Sequence, residues 1–247
     1  MLAAKRRQGI LKLVQEQGGV QVAELSQHFR VSPSTIRRDL EQLATRGALQ
    51  RTFGGAVSTQ ASTATLGDAS DVVRRIGQAA ADLITAGETV FIGPGPLCQA
   101  TARQLCNRSE VTILTNALEV AWTLYQDSEL PLILTGGPVL RPGGALAGQL
   151  AAQAMETLRA DRLIVEVAGV SPLEGFTSDQ LPQAEMIRLL LNSVSQVVVL
   201  TTAERLGRVG AAWIGPVSEA DVIITGRDAS SAIAWDLLET GVKVTLV

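Results

Sequence analysis

The chain has 247 residues, 46% of them hydrophobic and 18% charged, enough apolar material to bury a sizeable core in one large or two ordinary domains. No apolar run approaches the ~20 residues that span a bilayer, and two cysteines eight positions apart, Cys98 and Cys106, with no second pair and no nearby histidine, indicate neither a disulfide framework nor a zinc site. The net charge of −3 hides an asymmetry: residues 1–58 hold nine Lys/Arg against four Asp/Glu, and the remainder twelve against twenty, so a polyanion partner is expected for the first part alone.

In chain order, residues 6–17 carry Ile10, Leu11, Leu13 and Val14 at helical spacing, and Gly18 is a helix stop. Residues 1–7 are not followed by an apolar stretch of signal-peptide length, so a cytoplasmic protein with no membrane contact is expected. Residues 20–22 are extended or turn-like, and residues 23–30 form a second helix with Leu25 and Phe29 inward. A third helix is predicted from Ser32 to about Arg46. Ser32 can cap the first turn, and Pro33 suits the first helical position, where a missing N–H has no partner to lose. Ile36, Leu40 and Leu43 make one face apolar, while Ser34, Thr35, Arg37 and Arg38 fall off that face near the positively polarised N-terminus. Hydroxyls and guanidiniums there can reach phosphates or base edges. Three helices with a tight second turn make a helix-turn-helix. Residues 48–57 then read as a β-hairpin wing, with Arg51 near its tip and Gly54 and Gly55 allowing close backbone approach. His28, the single histidine, has no partners at metal-ligand or catalytic spacing and is read as a surface residue.

The set Arg6-Arg7-Gln8, Ile10-Leu11, Glu24-Leu25, Thr35-Ile36-Arg37-Arg38-Asp39-Leu40, Arg51 and Gly54-Gly55-Ala56 resembles the DeoR family of bacterial transcriptional regulators, over the whole winged helix-turn-helix. The resemblance implies that Ser34, Thr35, Arg37 and Arg38 face double-stranded operator DNA and that Arg51, Gly54 and Gly55 touch its backbone. Asp39 is expected to orient an arginine or cap locally, because a carboxylate beside phosphate is repelled.

Residues 59–70 are rich in Ser, Thr and Ala and are expected to be a flexible connector. Beyond them, over 71–247, helix and strand alternate. Strands are predicted at 89–92, 111–114, 132–134, 163–167, 197–200, 222–224 and 242–246, and helices at 72–84, 99–106, 117–125, 148–158, 186–192 and 229–238. Apolar strands between helices indicate a mainly parallel sheet covered on both faces, with ligands at the carboxyl ends of the strands. Four strand-end loops stand out: Gly93-Pro94-Gly95, Thr115-Asn116, Thr135-Gly136-Gly137 and Ala168-Gly169.

This half resembles the DeoR-family effector domain, similar in fold to ribose-phosphate isomerase and CoA-transferase. The resemblance rests on Gly95, Thr115, Asn116, Gly136, Gly137, Asp161, Gly169, Arg205 and Gly207, and it implies a phosphorylated sugar or related metabolite as effector. An effector set of Gly93, Gly95, Thr115, Asn116, Gly136, Gly137, Glu166, Gly169, Thr202 and Arg205 follows. The departures are substantial. The family's Asp-x-Gly-Thr-Thr stands here as Gly93-Pro94-Gly95-Pro96-Leu97, without either hydroxyl and with proline removing an amide donor. Its Asp-Gly stands as Ala168-Gly169, and its Asp-Ser-Ser-Lys as Thr202-Ala203-Glu204-Arg205. Glu166 adds a carboxylate where the family often has glycine.

The expectation is a DNA-binding regulator, a repressor by resemblance and homodimeric or homotetrameric because protein two-fold symmetry matches paired half-sites. Its effector site is altered, and simple sugar phosphates should bind poorly. No catalytic residue, metal or cofactor is implied. Two alternatives stay open: an effector domain kept for oligomerisation or protein docking, and a sugar-phosphate isomerase-like enzyme.

Overall fold

The computed structural model describes residues 6, 7, 9–11, 13, 19–29, 31–45, 49–52, 55–58, 66–141, 143–191 and 193–247. The chain divides into two compact units, Met1–Asp71 and Val72–Val247.

In the first unit, residues 6, 7, 9–11 and 13 are helical. β1 (Gly19–Gln21), α1 (Val22–Phe29), α2 (Pro33–Thr45), β2 (Leu49–Thr52) and β3 (Gly55–Ser58) follow. The apolar positions named above converge: Ile10, Leu25, Ile36, Leu40 and Leu43 form one buried cluster with Val20 and Leu49. The α1–α2 turn is tied by Val31 N donating to Ser26 O (3.2 Å) and by Ser26 Oγ donating to Val31 O (2.5 Å). The wing is a hairpin in which Thr52 pairs with Gly55, and β1 adds to its far side in the order β1-β3-β2. Val22 opens α1 rather than ending the extended stretch. The expected positions 8, 12, 14–18, 30, 46–48, 53 and 54 lie outside the described residues, as does most of the expected connector. Its last five residues are helical: α3 spans Leu66–Asp82. Extending a helix already nucleated further along requires little of the sequence, so a stretch without apolar periodicity continues it.

The second unit is built on β4 (Thr89–Ile92), β5 (Thr112–Thr115), β6 (Leu132–Leu134), β9 (Ala160–Glu166), β12 (Val194–Leu200), β14 (Val222–Thr225) and β15 (Lys243–Leu246). These form one seven-stranded sheet, order β15-β14-β12-β9-β4-β5-β6, and every pairing in it is parallel. α4 (Pro96–Leu105), α5 (Leu118–Asp127), α6 (Gly148–Thr157), α7 (Leu181–Leu191) and α8 (Ser231–Glu239) complete the alternation. The two faces have separate cores. Leu163 and Val165 of β9 pack with Phe91, Ile187 and Leu237, whereas Ile164 packs with Val90, Leu97, Cys98 and Ile76.

Five short strands go beyond the predicted pattern. β7 (Val139–Leu140) and β8 (Ala145–Leu146) form a small hairpin, and β10 (Gly169–Ser171), β11 (Gly175–Ser178) and β13 (Ala212–Gly215) form an antiparallel three-stranded sheet. β10 and β11 are buried at every position, so they lack the polar–apolar alternation that would mark them in sequence. No described helix is long and apolar enough to cross a membrane.

Candidate functional sites

The first site is the exposed face of α2. Ser32 sits just before the helix; its Oγ accepts from Thr35 N (3.3 Å) and lies 2.8 Å from Ser34 Oγ and 2.9 Å from Thr35 Oγ1. At 3.6 residues per turn, Ser34, Arg37, Arg38 and Glu41 share one side of the helix, and all four are exposed. Ile36, Leu40 and Leu43 occupy the other side. Asp39 falls on the flank of the buried side, 6% exposed, and accepts from Arg6 Nε at 2.6 Å, with Arg7 Nε 3.9 Å away. Arg7 also donates to Gln42 Oε1. The carboxylate is thus turned inward onto arginines of the first helical segment. Arg37 and Arg38 remain without an ion-pair partner among the described residues, in the second turn of the helix. Arg51 and Gly55 lie on the wing strands, opposite Ala56 and Thr52 respectively, and Gly54 lies outside the described residues. His28 is exposed, its ring edge-on to Phe29.

The second site lies in the large unit. From β4 the chain adds β5 and β6 on one side, then returns to place β9 and the remaining strands on the other. The strand order therefore reverses between β4 and β9, the position at which open parallel sheets form a crevice beyond their carboxyl ends. A cavity of about 240 Å³ opens there, lined by Gly95 and Pro96 after β4, by Glu166, Val167 and Ala168 at the end of β9, and by Arg205. Glu119, Gly143, Ala145, Asp179, Gln180 and Gln183 close its rim.

Alternation along β9 puts Arg162, Ile164 and Glu166 on one face. Arg162 donates to both Glu88 oxygens at the amino end, from Nε (3.1 Å) and Nη2 (2.9 Å). Glu166, 5% exposed, sits at the carboxyl end over the start of α4. Its Oε2 accepts from Leu97 N at 2.8 Å, and its Oε1 accepts from Arg205 Nη1 at 2.5 Å; the same nitrogen donates to Val167 O at 3.0 Å. Burial pushes the Glu166 carboxyl up, and the Leu97 amide and Arg205 offset only part of that, leaving it above the usual carboxylate value of 4.5. Burial, together with the Glu166 charge, pushes the Cys98 thiol well up, which makes it an inert core thiol.

Of the ten sequence-predicted effector residues, Gly95, Glu166 and Arg205 line the crevice. Gly93 lies beneath it, its backbone N bonded to Ile164 O. Thr115 is fully buried, donates to Ile92 O (2.6 Å) and accepts from Ala117 N (3.0 Å), which locks the ends of β4 and β5 together. Asn116 donates to Leu146 O, and its Oδ1 is buried with no partner among the described residues, as is Thr202 Oγ1. Gly136 and Gly137 hold positive φ; a side chain on Gly137 would lie 2.6 Å from Ala147 O. Gly169 serves packing, since a Cβ there would lie 2.3 Å from Arg208 O. Asp161 is at the opposite end of β9 from the crevice and accepts from Thr89 N (2.8 Å). The polar rim of Glu119, Asp179, Gln180 and Gln183 carries no motif, and only the folded chain brings it to the strand ends. Asp179 is paired there with Arg208 (2.8 Å).

Comparison with known proteins covers both units. The family model described as the DeoR-like helix-turn-helix domain matches residues 6–62, and that of the DeoR C terminal sensor domain matches residues 70–227. The chain is 30% identical over 251 residues to the glycerol-3-phosphate regulon repressor of Escherichia coli K12, covering all of both proteins. It is 27% identical to the HTH-type transcriptional regulator GolR of Listeria innocua, over 100% of this chain and 99% of that one. It is 30% identical to the HTH-type transcriptional regulator GlpR of Haloferax volcanii, over 99% and 98%. A ribose 5-phosphate isomerase from Methanocaldococcus jannaschii overlays 56% of this chain and 54% of its own at 15% identity, with a TM-score of 0.42.

Proposed function

The chain belongs to the DeoR family of DNA-binding transcriptional regulators, and on that basis we propose that α2 reads operator DNA while the strand-end crevice of the second unit receives a small-molecule effector. The observation that carries the DNA assignment is the inward turn of Asp39 onto Arg6, which leaves Ser34, Arg37 and Arg38 exposed together on one side of α2, with Glu41 as the one carboxylate beside them. Phosphate contacts by such groups position the helix, and guanidinium contacts to guanine edges select sequence. The wing, with Arg51, Gly54 and Gly55, lies against the backbone. Two copies on a two-fold axis engage paired half-sites, so the working unit is a homodimer or homotetramer. The protein acts by binding rather than by turnover: the crevice holds carboxylates and one guanidinium, but the chain's single histidine is on α1. The place of the crevice at the reversal of strand order favours ligand binding over a purely architectural second unit.

Selection of binding sites from random duplex DNA by the full chain tests this reading. A defined motif is expected, with Arg37→Ala or Arg38→Ala weakening it by about 1–3 kcal/mol where the arginine reads a base. A phosphate contact would instead weaken all sequences alike and lower the salt slope by about one. Absence of any enriched motif, or affinity unchanged in both variants, would overturn it.

A further inference from the structure

The first turn of α4 lacks the caps its sequence could have supplied. Gly95 stands before it at φ +123° with no side chain to offer, and Pro96 has no N–H. Leu97 is therefore the first helical residue with an amide to give, and that amide goes to Glu166, a residue 69 positions later. The carboxylate is seated at the positive end of a ten-residue helix and is gripped from its other oxygen by Arg205. A Cβ on Gly95 would come within 2.4 Å of Glu166 Oε2, so the loop lies directly on the carboxylate and only glycine permits it. A helix amide and a guanidinium converging on one point is the arrangement by which proteins hold anions. Here the anion belongs to the chain. The other charged side chains lining the cavity, Glu119 and Asp179, are carboxylates as well.

We propose that the Glu166 side chain is a built-in anion filling the seat between the α4 N-terminus and Arg205, and that it closes the crevice to anionic ligands, so that an effector must meet this end with an uncharged group. Glu166 is thereby the residue that sets ligand charge specificity. This rests on reading the crevice as the effector site. The experiment below contains no DNA, so its failure is distinct from a failure of operator recognition.

The test is calorimetric titration of inorganic phosphate into the full chain, with a thermal melt of each variant. The wild type is expected to give no binding at millimolar phosphate. Glu166→Ala is expected to bind phosphate roughly a hundredfold more tightly than any residual wild-type affinity, the gain of a vacated charge-assisted site. Glu166→Ala combined with Arg205→Ala should lose that gain, which locates the phosphate in the vacated seat. Should Glu166→Ala melt below the assay temperature, Glu166→Ser, whose short side chain also vacates the seat, takes its place and must still bind phosphate more tightly than the wild type. Wild-type binding as tight as the variant's, a folded Glu166 variant with no gain, or a gain that survives Arg205→Ala would each overturn the proposal.

Discussion

Asp39→Ala removes the carboxylate that Arg6 holds at 2.6 Å, in a pair whose side chains are 9% and 8% exposed. The guanidinium is left in a site shaped for its counter-ion. Breaking a buried pair from one side costs about 3–5 kcal/mol; the long Arg6 side chain can swing its head toward water, which favours the lower figure. The helix-turn-helix domain of residues 6–62 has a total stability of about 3–9 kcal/mol at roughly 0.05–0.15 kcal/mol per residue. The substitution therefore consumes a third or more of it. With a urea dependence near about 1 kcal/mol/M for so small a domain, the midpoint should fall by about 3 M. The chain supplies a clean readout, because its three tryptophans (Trp122, Trp213, Trp235) and its one tyrosine (Tyr125) all lie in the second unit. Fluorescence then follows that unit alone, while operator binding and loss of far-UV helicity at low urea follow the first. Asp39→Ala should shift the second set and leave the fluorescence transition in place. Arg6→Met with Asp39→Leu should restore most of the loss, since an apolar pair leaves no charge stranded. A shift below about 1 M in Asp39→Ala would refute the reasoning and place the pair in effectively solvated surroundings.

Two further predictions concern the second unit. Gly95→Ala combines a positive φ with the approach to Glu166 Oε2, so it should destabilise the unit by more than the roughly 1–3 kcal/mol of a strained backbone alone; thermal denaturation measures it, and Glu166→Ala in the same chain should recover the excess but not the φ penalty. Glu88 is pushed up by burial but drawn net below 4.5 by its hydrogen bonds to Arg162 and Thr85 and by the Arg162 charge. Its ion pair therefore contributes stability that is present above pH 4.5 and is lost as the pH falls through the lowered folded-state value, and Glu88→Gln should flatten that acid limb in urea titrations read by tryptophan fluorescence.

The helix-turn-helix was legible because its signals are local. Ser32, Pro33 and the Ile36–Leu40–Leu43 spacing define α2 within twelve residues, and the fate of Asp39 follows from charge repulsion alone. The parallel sheet was legible for the same reason, each strand being a short apolar run. The boundary of α4 was not: Gly95-Pro96 marks a turn and a helix start equally well, and the start lies at Pro96 rather than at Gln99. The role of Glu166 was half legible. Its carboxylate is conspicuous at a strand end, but its partners Leu97 and Arg205 are 69 and 39 positions away, and nothing in local spacing joins them. Thr115 and Gly169 look like ligand contacts at strand ends and instead hold backbone to backbone. A residue suited to meet a ligand closely is also suited to meet its own chain.

The reversal of strand order also governs the sequence of events in folding. β4, β5 and β6 follow one another and can pair as they appear, but the neighbour of β4 on its other side is β9. Thr89 N reaches Asp161 Oδ2 across 72 residues. Closing that loop is an entropic cost borne before any contact rewards it, and non-local parallel pairing of this kind is slow. Until β9 docks there is no crevice, and the Leu97 amide faces solvent. The bond from Leu97 to Glu166 is thus formed at the moment the two halves of the sheet join, and protection of that one amide from exchange with water is a clock for the completion of the domain.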